Sequence, residues 1–222
     1  MISSEKILEM LNNGNYEELK ELCKRDMVSK SLKANGGTNA NKQLKAFEKF
    51  LKLSQKQPKE LERIVHFDMV KGDEAKALCK EGLSALFIIP SCPFYKNIES
   101  VPMTGQAKLG SIADSMNTKF DFTIENAVID FAMKYAKTNT ADKRFRNLYL
   151  PNGALFDIEL IKEVVNVLGD CEVYGVDNGN RTLISPILLQ SNNGYALVCP
   201  RKNTEQDKEK CKTYDDYKNM ME

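Results

Sequence analysis

Histidine occurs once in this 222-residue chain, as His66. A histidine metal cluster is therefore excluded, and any histidine-based triad or general base has a single candidate. His66 stands between Val65 and Phe67 in a β-branched and aromatic stretch, and it reads as a plain strand residue. No C-x-x-C pair occurs among the six cysteines, Cys23, Cys79, Cys92, Cys171, Cys199 and Cys211. Their scatter supplies neither a zinc spacing nor a disulfide framework, so all six are expected to be free thiols. Long apolar runs are missing as well. The longest, residues 83–90, falls far short of the roughly 20 residues that span a bilayer, and MISSEKILEMLNNG lacks the basic start and apolar stretch of a secretory signal. A soluble protein of the reducing cytoplasm, without a membrane partner, is expected.

The glycine-rich segment Thr104-Gly105-Gln106-Ala107-Lys108-Leu109-Gly110-Ser111 lacks the lysine that a phosphate loop carries after its second glycine, and that reading is rejected. Asp68, Asp73, Asp121 and Asp130 fall in different elements without a metal-binding rhythm and read as solvated carboxylates. These absences leave no recognisable catalytic apparatus and imply no cofactor.

What the chain does have is enough apolar content, 42% hydrophobic residues, to bury a core in one or two domains. A short capped helix is predicted after Ser3 or Ser4, then a second over 16–34. Together they form a helical extension over residues 1–37 that ends at Asn35-Gly36-Gly37. From 41 to 55, Leu44, Phe47, Phe50 and Leu51 recur at helical spacing. Strand-like residues follow at 63–70, 75–79 and 83–89, separated by Lys71-Gly72-Asp73-Glu74 and Lys80-Glu81-Gly82. Residues 98–119 read mostly as loop with a helix near 110–116, and 124–137 as a helix. A strand at 146–150, a turn at Pro151-Asn152-Gly153 and a helix over 157–168, capped by Asp157 and closed by Gly169, come next. Strands at 171–176, 183–190 and 195–199 are joined by Asp177-Asn178-Gly179-Asn180 and Ser191-Asn192-Asn193-Gly194, which have hairpin chemistry. Residues 202–222 are charged and nearly free of aliphatic side chains, so a mobile tail or fraying helix is expected there. The fold class is α+β.

The formal net charge is only +1, but residues 20–59 hold eleven basic residues against three acids. Within that block Lys42, Lys45, Lys49, Lys52 and Lys56 are spaced three, four, three and four residues apart, which places all five on one helical stripe. Leu44, Phe47 and Leu51 lie on another. Such a stripe is either a solvated face or a surface that follows a phosphate backbone. Lys134, Lys137, Lys143, Arg144 and Arg146 are candidates to extend it.

The series Phe156-Asp157-Ile158-Glu159-Leu160-Ile161, Leu168-Gly169-Asp170, Ser185-Pro186-Ile187-Leu188-Leu189 and Gly194-Tyr195-Ala196-Leu197-Val198-Cys199-Pro200-Arg201 resembles the closing β-α-β-β-β unit of the bacterial DNA polymerase III β sliding clamp family. In that family the final strand runs into a Met-Pro-Met-Arg-like sequence, where Cys199-Pro200-Arg201-Lys202 stands here. The order of elements over 41–89 is similar to the opening of such a domain. The resemblance implies one clamp-like α+β domain over 38–201, non-catalytic, with its helices on the DNA side. It implies the DNA backbone and replication proteins as partners, and it gives Lys42, Lys45, Lys49, Lys52 and Lys56 the role of phosphate contacts. A protein-interaction module on the same fold is the alternative. A clamp subunit has three such domains, whereas this chain has length for one, and a monomer or dimer is expected because no edge reads as self-complementary.

Overall fold

The computed structural model describes residues 4–16, 19, 38–54, 66–80, 82–89, 92, 100–102, 109–138, 146–176, 185–202 and 211–222. In chain order the elements are α1 (Ser4–Asn12), α2 (Thr38–Ser54), β1 (His66–Val70), β2 (Asp73–Lys80), β3 (Leu83–Ile88), β4 (Val101–Pro102), α3 (Leu109–Asp114), β5 (Thr118–Ile124), α4 (Asn126–Thr138), β6 (Asn147–Tyr149), β7 (Leu155–Asp157), α5 (Ile158–Leu168), β8 (Cys171–Gly175), β9 (Ile187–Ser191), β10 (Gly194–Val198) and α6 (Tyr214–Asn219). Eight strands form one sheet in the order β4-β1-β2-β3-β10-β9-β8-β5, and β6 pairs with β7 in a small second sheet. Every pairing in the large sheet is antiparallel except β1 with β4. The α+β class with an antiparallel sheet is as expected. No helix among the described residues is long and apolar enough to cross a membrane.

The sheet is built from two three-stranded meanders, each preceded by a helix: α2 before β1-β2-β3, and α5 before β8-β9-β10. They meet where β3 pairs with β10, at Phe87 opposite Tyr195. Tight turns set both registers. Val70 pairs with Asp73 across Lys71-Gly72, and both turn residues have positive φ, 53° and 85°, as a two-residue hairpin of the right twist demands. Lys71 is held there because its amide donates to Asp114 Oδ1 at 2.7 Å and its Nζ to the Met116 carbonyl at 2.9 Å. In the second meander Asn192-Asn193 joins β9 to β10. A Cβ on the following Gly194 would sit 2.2 Å from the Phe87 carbonyl oxygen, so only glycine lets β10 close against β3.

One face of the sheet is covered by helices. Phe47 and Phe50 of α2, Val128, Ile129 and Ala132 of α4, and Ile161, Val164, Val165 and Leu168 of α5 pack with Leu78, Leu86, Val173, Leu189 and Ala196. α5 is the middle helix, in contact with α2 on one side and α4 on the other. Asp157 caps it, accepting from the Glu159 amide at 2.9 Å. Arg201 donates to the same Asp157 carboxylate at 2.6 Å, and its amide donates to the Leu155 carbonyl at 2.7 Å, so the segment after the last strand is tied to the start of α5. On the opposite face Val70, Ala75, Ala77, Ala85, Phe87, Leu188 and Leu197 form a second cluster with Ala113 and Met116.

Three expectations need correction. The helix expected near 110–116 lies at Leu109–Asp114, but β5 occupies Thr118–Ile124, a strand not expected there, and the helix expected over 124–137 begins at Asn126. The strand expected at 183–190 is described only over Ile187–Ser191. The third concerns the charged tail, where residues 213–219 form a capped helix docked in the core. Thr213 and Asp216 make a reciprocal capping box, and Tyr214 and Tyr217 are buried. The Glu125 amide donates to Tyr214 Oη at 2.8 Å, while the Tyr217 ring meets Phe131 and Tyr135 edge to face at 6.4 and 5.7 Å. Helix α1 lies where expected. Apart from Tyr16 and Leu19, the helix expected over 16–34 lies outside the described residues, as does the Asn178-Gly179 turn.

Burial pushes the Tyr214 and Tyr217 phenols up to about 12 from the usual 10. An acid whose pKa is raised by folding keeps its proton longer in the native state than in the unfolded chain. The stability these two groups contribute is therefore complete below pH 10 and lost as pH climbs through 12. Thermal melts over this range should show Tm falling above pH 10, and the fall should be smaller in Tyr217→Phe. A Tm independent of pH there would contradict the docking of α6.

Candidate nucleic-acid interface

Helix α2 gains its order from its apolar side. At about 100° per residue, Phe47, Phe50, Leu44, Ala46 and Leu51 fall on the half that faces α5 and β2, and they are buried or partly buried in the core. Lys42, Lys45, Lys49 and Lys52 fall within an arc of roughly 80° on the other side. All four are exposed. Among the described residues none of them is in an ion pair. Glu48, half-exposed, is the only acid among the described residues of the helix and lies at the margin of the lysine arc. Lysines three and four apart repel by a few tenths of a kcal/mol per pair. Burial of the two phenylalanines, worth about 1.5–3 kcal/mol each, offsets that repulsion. Lys56 lies outside the described residues.

Beside α2 the described surface of α5 is near neutral. On α5, Lys162 pairs with Asp130 of α4, and Glu163 pairs with Lys80 of β2, while Glu159 is exposed. Lys134 and Lys137 are exposed on α4, with α5 between them and the α2 lysines. Two helix spacings of 8–10 Å each put the two groups about 16–20 Å apart. Among the described residues the exposed lysines of the helix layer are thus densest on α2, and Lys134 and Lys137 form a separate flank. Arg146 is exposed before β6; Lys143 and Arg144 lie outside the described residues. Between α2 and α5 a notch of about 30 Å³ is lined by Ala46, Lys49, Phe50, Glu163 and Asn166. It has room for about one water.

The remaining candidates are dispersed. His66 is a buried residue of β1, with Nδ1 3.4 Å from the Pro102 carbonyl oxygen. Asp68 accepts from the Met69 and Gly110 amides at 2.8 and 2.9 Å, and Asp73 accepts from the Tyr195 hydroxyl at 3.4 Å. Asp121 lies on β5 and Asp130 on α4. The described residues contain no group of three or more histidine, cysteine or carboxylate side chains placed to hold a metal. Cys79, Cys92, Cys171, Cys199 and Cys211 are in no disulfide, and burial raises the Cys171 pKa far above its ordinary value. That thiol is an inert core group. Cys23 lies outside the described residues.

A second surface went unnoticed in the sequence. Strand β5 is the last of the sheet, and beside it Lys119, Phe120, Asp121, Phe122, Thr123, Tyr214, Asp215 and Lys218 line a groove of about 500 Å³ between β5 and α6. The alternation in Thr118-Lys119-Phe120-Asp121-Phe122-Thr123-Ile124 was the available signal. No family model matches the chain, and neither a curated protein nor a solved structure matches it.

Proposed function

We infer that this chain is a non-catalytic, clamp-like protein that associates with DNA through phosphate contacts from the exposed face of α2. The observation that carries this reading is the row Lys42, Lys45, Lys49 and Lys52, exposed and without ion pairs among the described residues on a helix anchored by Phe47 and Phe50. An ammonium group that has no internal counter-charge is free to replace the condensed cations of a polyanion, and release of those cations drives association. Lysine makes point contacts to phosphate and does not form the bidentate fork that reads a base edge. The surface is therefore suited to tracking a backbone and not to reading sequence. Lys56 continues the spacing of the row.

The clamp-like part of the reading is supported by the palindromic order β1-β2-β3-β10-β9-β8. Each half consists of a helix followed by a meander, with the two helices packed together on one face. The closing half also carries the residues whose order resembles the clamp family. A second reading, an interaction module on the same fold, is favoured by β5, whose outer side pairs with no strand among the described residues.

Phosphate contact predicts indifference to sequence. Two labelled duplexes of equal length and unrelated sequence should bind with affinities within about threefold of each other, since a base-reading contact alone is worth about 1–3 kcal/mol. Fluorescence anisotropy at matched salt measures this, and a preference of tenfold or more would reject the phosphate reading.

A further inference from the structure

Edge strands present a row of main-chain donors and acceptors, and proteins with no use for such an edge cover or blunt it. At one end of this sheet the edge is β4, two residues ending in Pro102, which cannot donate to a further strand. At the other end is β5, seven residues long. Its inner side pairs with β8, and no strand among the described residues pairs with its outer side. Pairing with β8 is interrupted between Lys119 and Thr123. Phe120 packs against Gly175, so closely that a Cβ there would lie 2.6 Å from its ring. The Phe120 and Phe122 rings stack at 5.9 Å and stay half-buried.

Helix α6 forms the other wall, so the groove has a strand edge on one side, a helix on the other and aromatic rings in its floor. An edge strand facing a helix is the geometry of peptide capture by strand addition, where main-chain bonds give affinity and alternate side chains give specificity. Five consecutive residues of β5 line it, an extended length of about 17 Å. The charges of the lining decide the occupant. Lys119 is neutralised by Glu172 and Lys218 by Glu125, each at 2.6 Å. Asp121 and Asp215 enter no ion pair among the described residues. Among the described residues the groove and its ion-pair partners therefore hold two more carboxylates than ammonium groups.

We propose that the β5–α6 groove binds an extended peptide segment in which apolar and basic residues alternate, added as a further strand beside β5. Its apolar side chains lie on the face of Phe120, Phe122 and Tyr214, and a basic one on the opposite face reaches Asp121. This site lies at the opposite end of the helix layer from α2, and its test is independent of DNA binding.

The probe is fluorescein-labelled Lys-Val-Lys-Val-Lys-Val-Lys, amidated at its C-terminus and titrated with the full chain by anisotropy. Saturable binding is expected, weakened at least tenfold in Asp121→Lys/Asp215→Lys; if that double variant fails a circular-dichroism folding check, Asp121→Asn/Asp215→Asn replaces it. Two isomers of the peptide, N-methylated at alternate amides in either register, separate strand addition from general charge attraction. One isomer should lose at least tenfold relative to the other, because an extended strand turns only every second N–H toward its neighbour. Absence of saturable binding, equal affinity of the two isomers, or no effect of the carboxylate changes would each overturn the proposal. So would a dimer seen by sedimentation that Asp121→Lys abolishes, since the groove would then belong to a second copy of this chain.

Discussion

Tyr217→Ala is expected to destabilise the chain by about 3–5 kcal/mol, the cost of emptying a fully buried aromatic site, although the residue lies in a segment of mostly polar composition. Tyr217 is wholly buried and set edge to face against Phe131 and Tyr135, contacts worth about 0.5–1.5 kcal/mol each beyond the burial itself. Deleting residues 211–222 removes Tyr214 as well, together with the Lys218–Glu125 pair, and should cost more than the single change. Against a typical total of about 5–15 kcal/mol, such a loss is a large fraction of stability. The opposite sign is expected for Tyr217→Phe. The Tyr217 hydroxyl is buried with no hydrogen-bond partner among the described residues, and removing an unsatisfied group while keeping the ring should stabilise by about 1 kcal/mol. Urea unfolding of the three variants measures these differences. A change below about 0.5 kcal/mol for Tyr217→Ala, the range of an ordinary surface substitution, would mean that α6 does not contribute to the core.

Why the sequence concealed that helix is instructive. Tyr214 and Tyr217 are one helical turn apart among Asp215, Asp216, Lys218 and Asn219, so a window average registers only charge. The informative residues were Thr213 and Asp216, a capping signal in a six-residue helix that has too few positions for a period to emerge. Strand β5 was hidden for a related reason. Its alternation is clear over Phe120, Phe122 and Ile124, but the interrupted register opposite β8 and the helix starting two residues later blurred its end. Elements with strong punctuation were legible. Asp157 and Gly169 bracket α5 as read from the chain, and Ser191-Asn192-Asn193-Gly194 makes the expected hairpin. The six-residue apolar strand β3 sits at the middle of the sheet, where both faces are covered.

The candidate interface divides in the same way. Spacing alone located the lysines of α2, because three- and four-residue steps fix a face once the helix is known. The absence of an ion pair to them among the described residues was not readable. That depends on where Glu163 and Asp130 are placed by α5 and α4, and on which lysines, Lys80 and Lys162, reach them first. The β5–α6 groove joins residues 119–123 to residues 214–218, a separation at which periodicity carries no information.

The most direct measurement of the central claim is the salt dependence of duplex DNA binding for the wild type and for Lys45→Gln/Lys49→Gln/Lys52→Gln. Each neutralised phosphate contributes about −0.9 to the slope of log affinity against log salt. The five-lysine row therefore predicts a wild-type slope of roughly −4 to −5, so that a fourfold rise in salt weakens binding several hundredfold. With three of the five removed the slope should flatten to about −2, and the same rise in salt should weaken binding only about tenfold. The variant should keep its fold by circular dichroism, because Phe47, Phe50 and the partly buried Leu44 and Leu51 are untouched. A wild type that shows no salt-sensitive binding at low ionic strength, or a triple variant whose slope equals that of the wild type, would contradict the account.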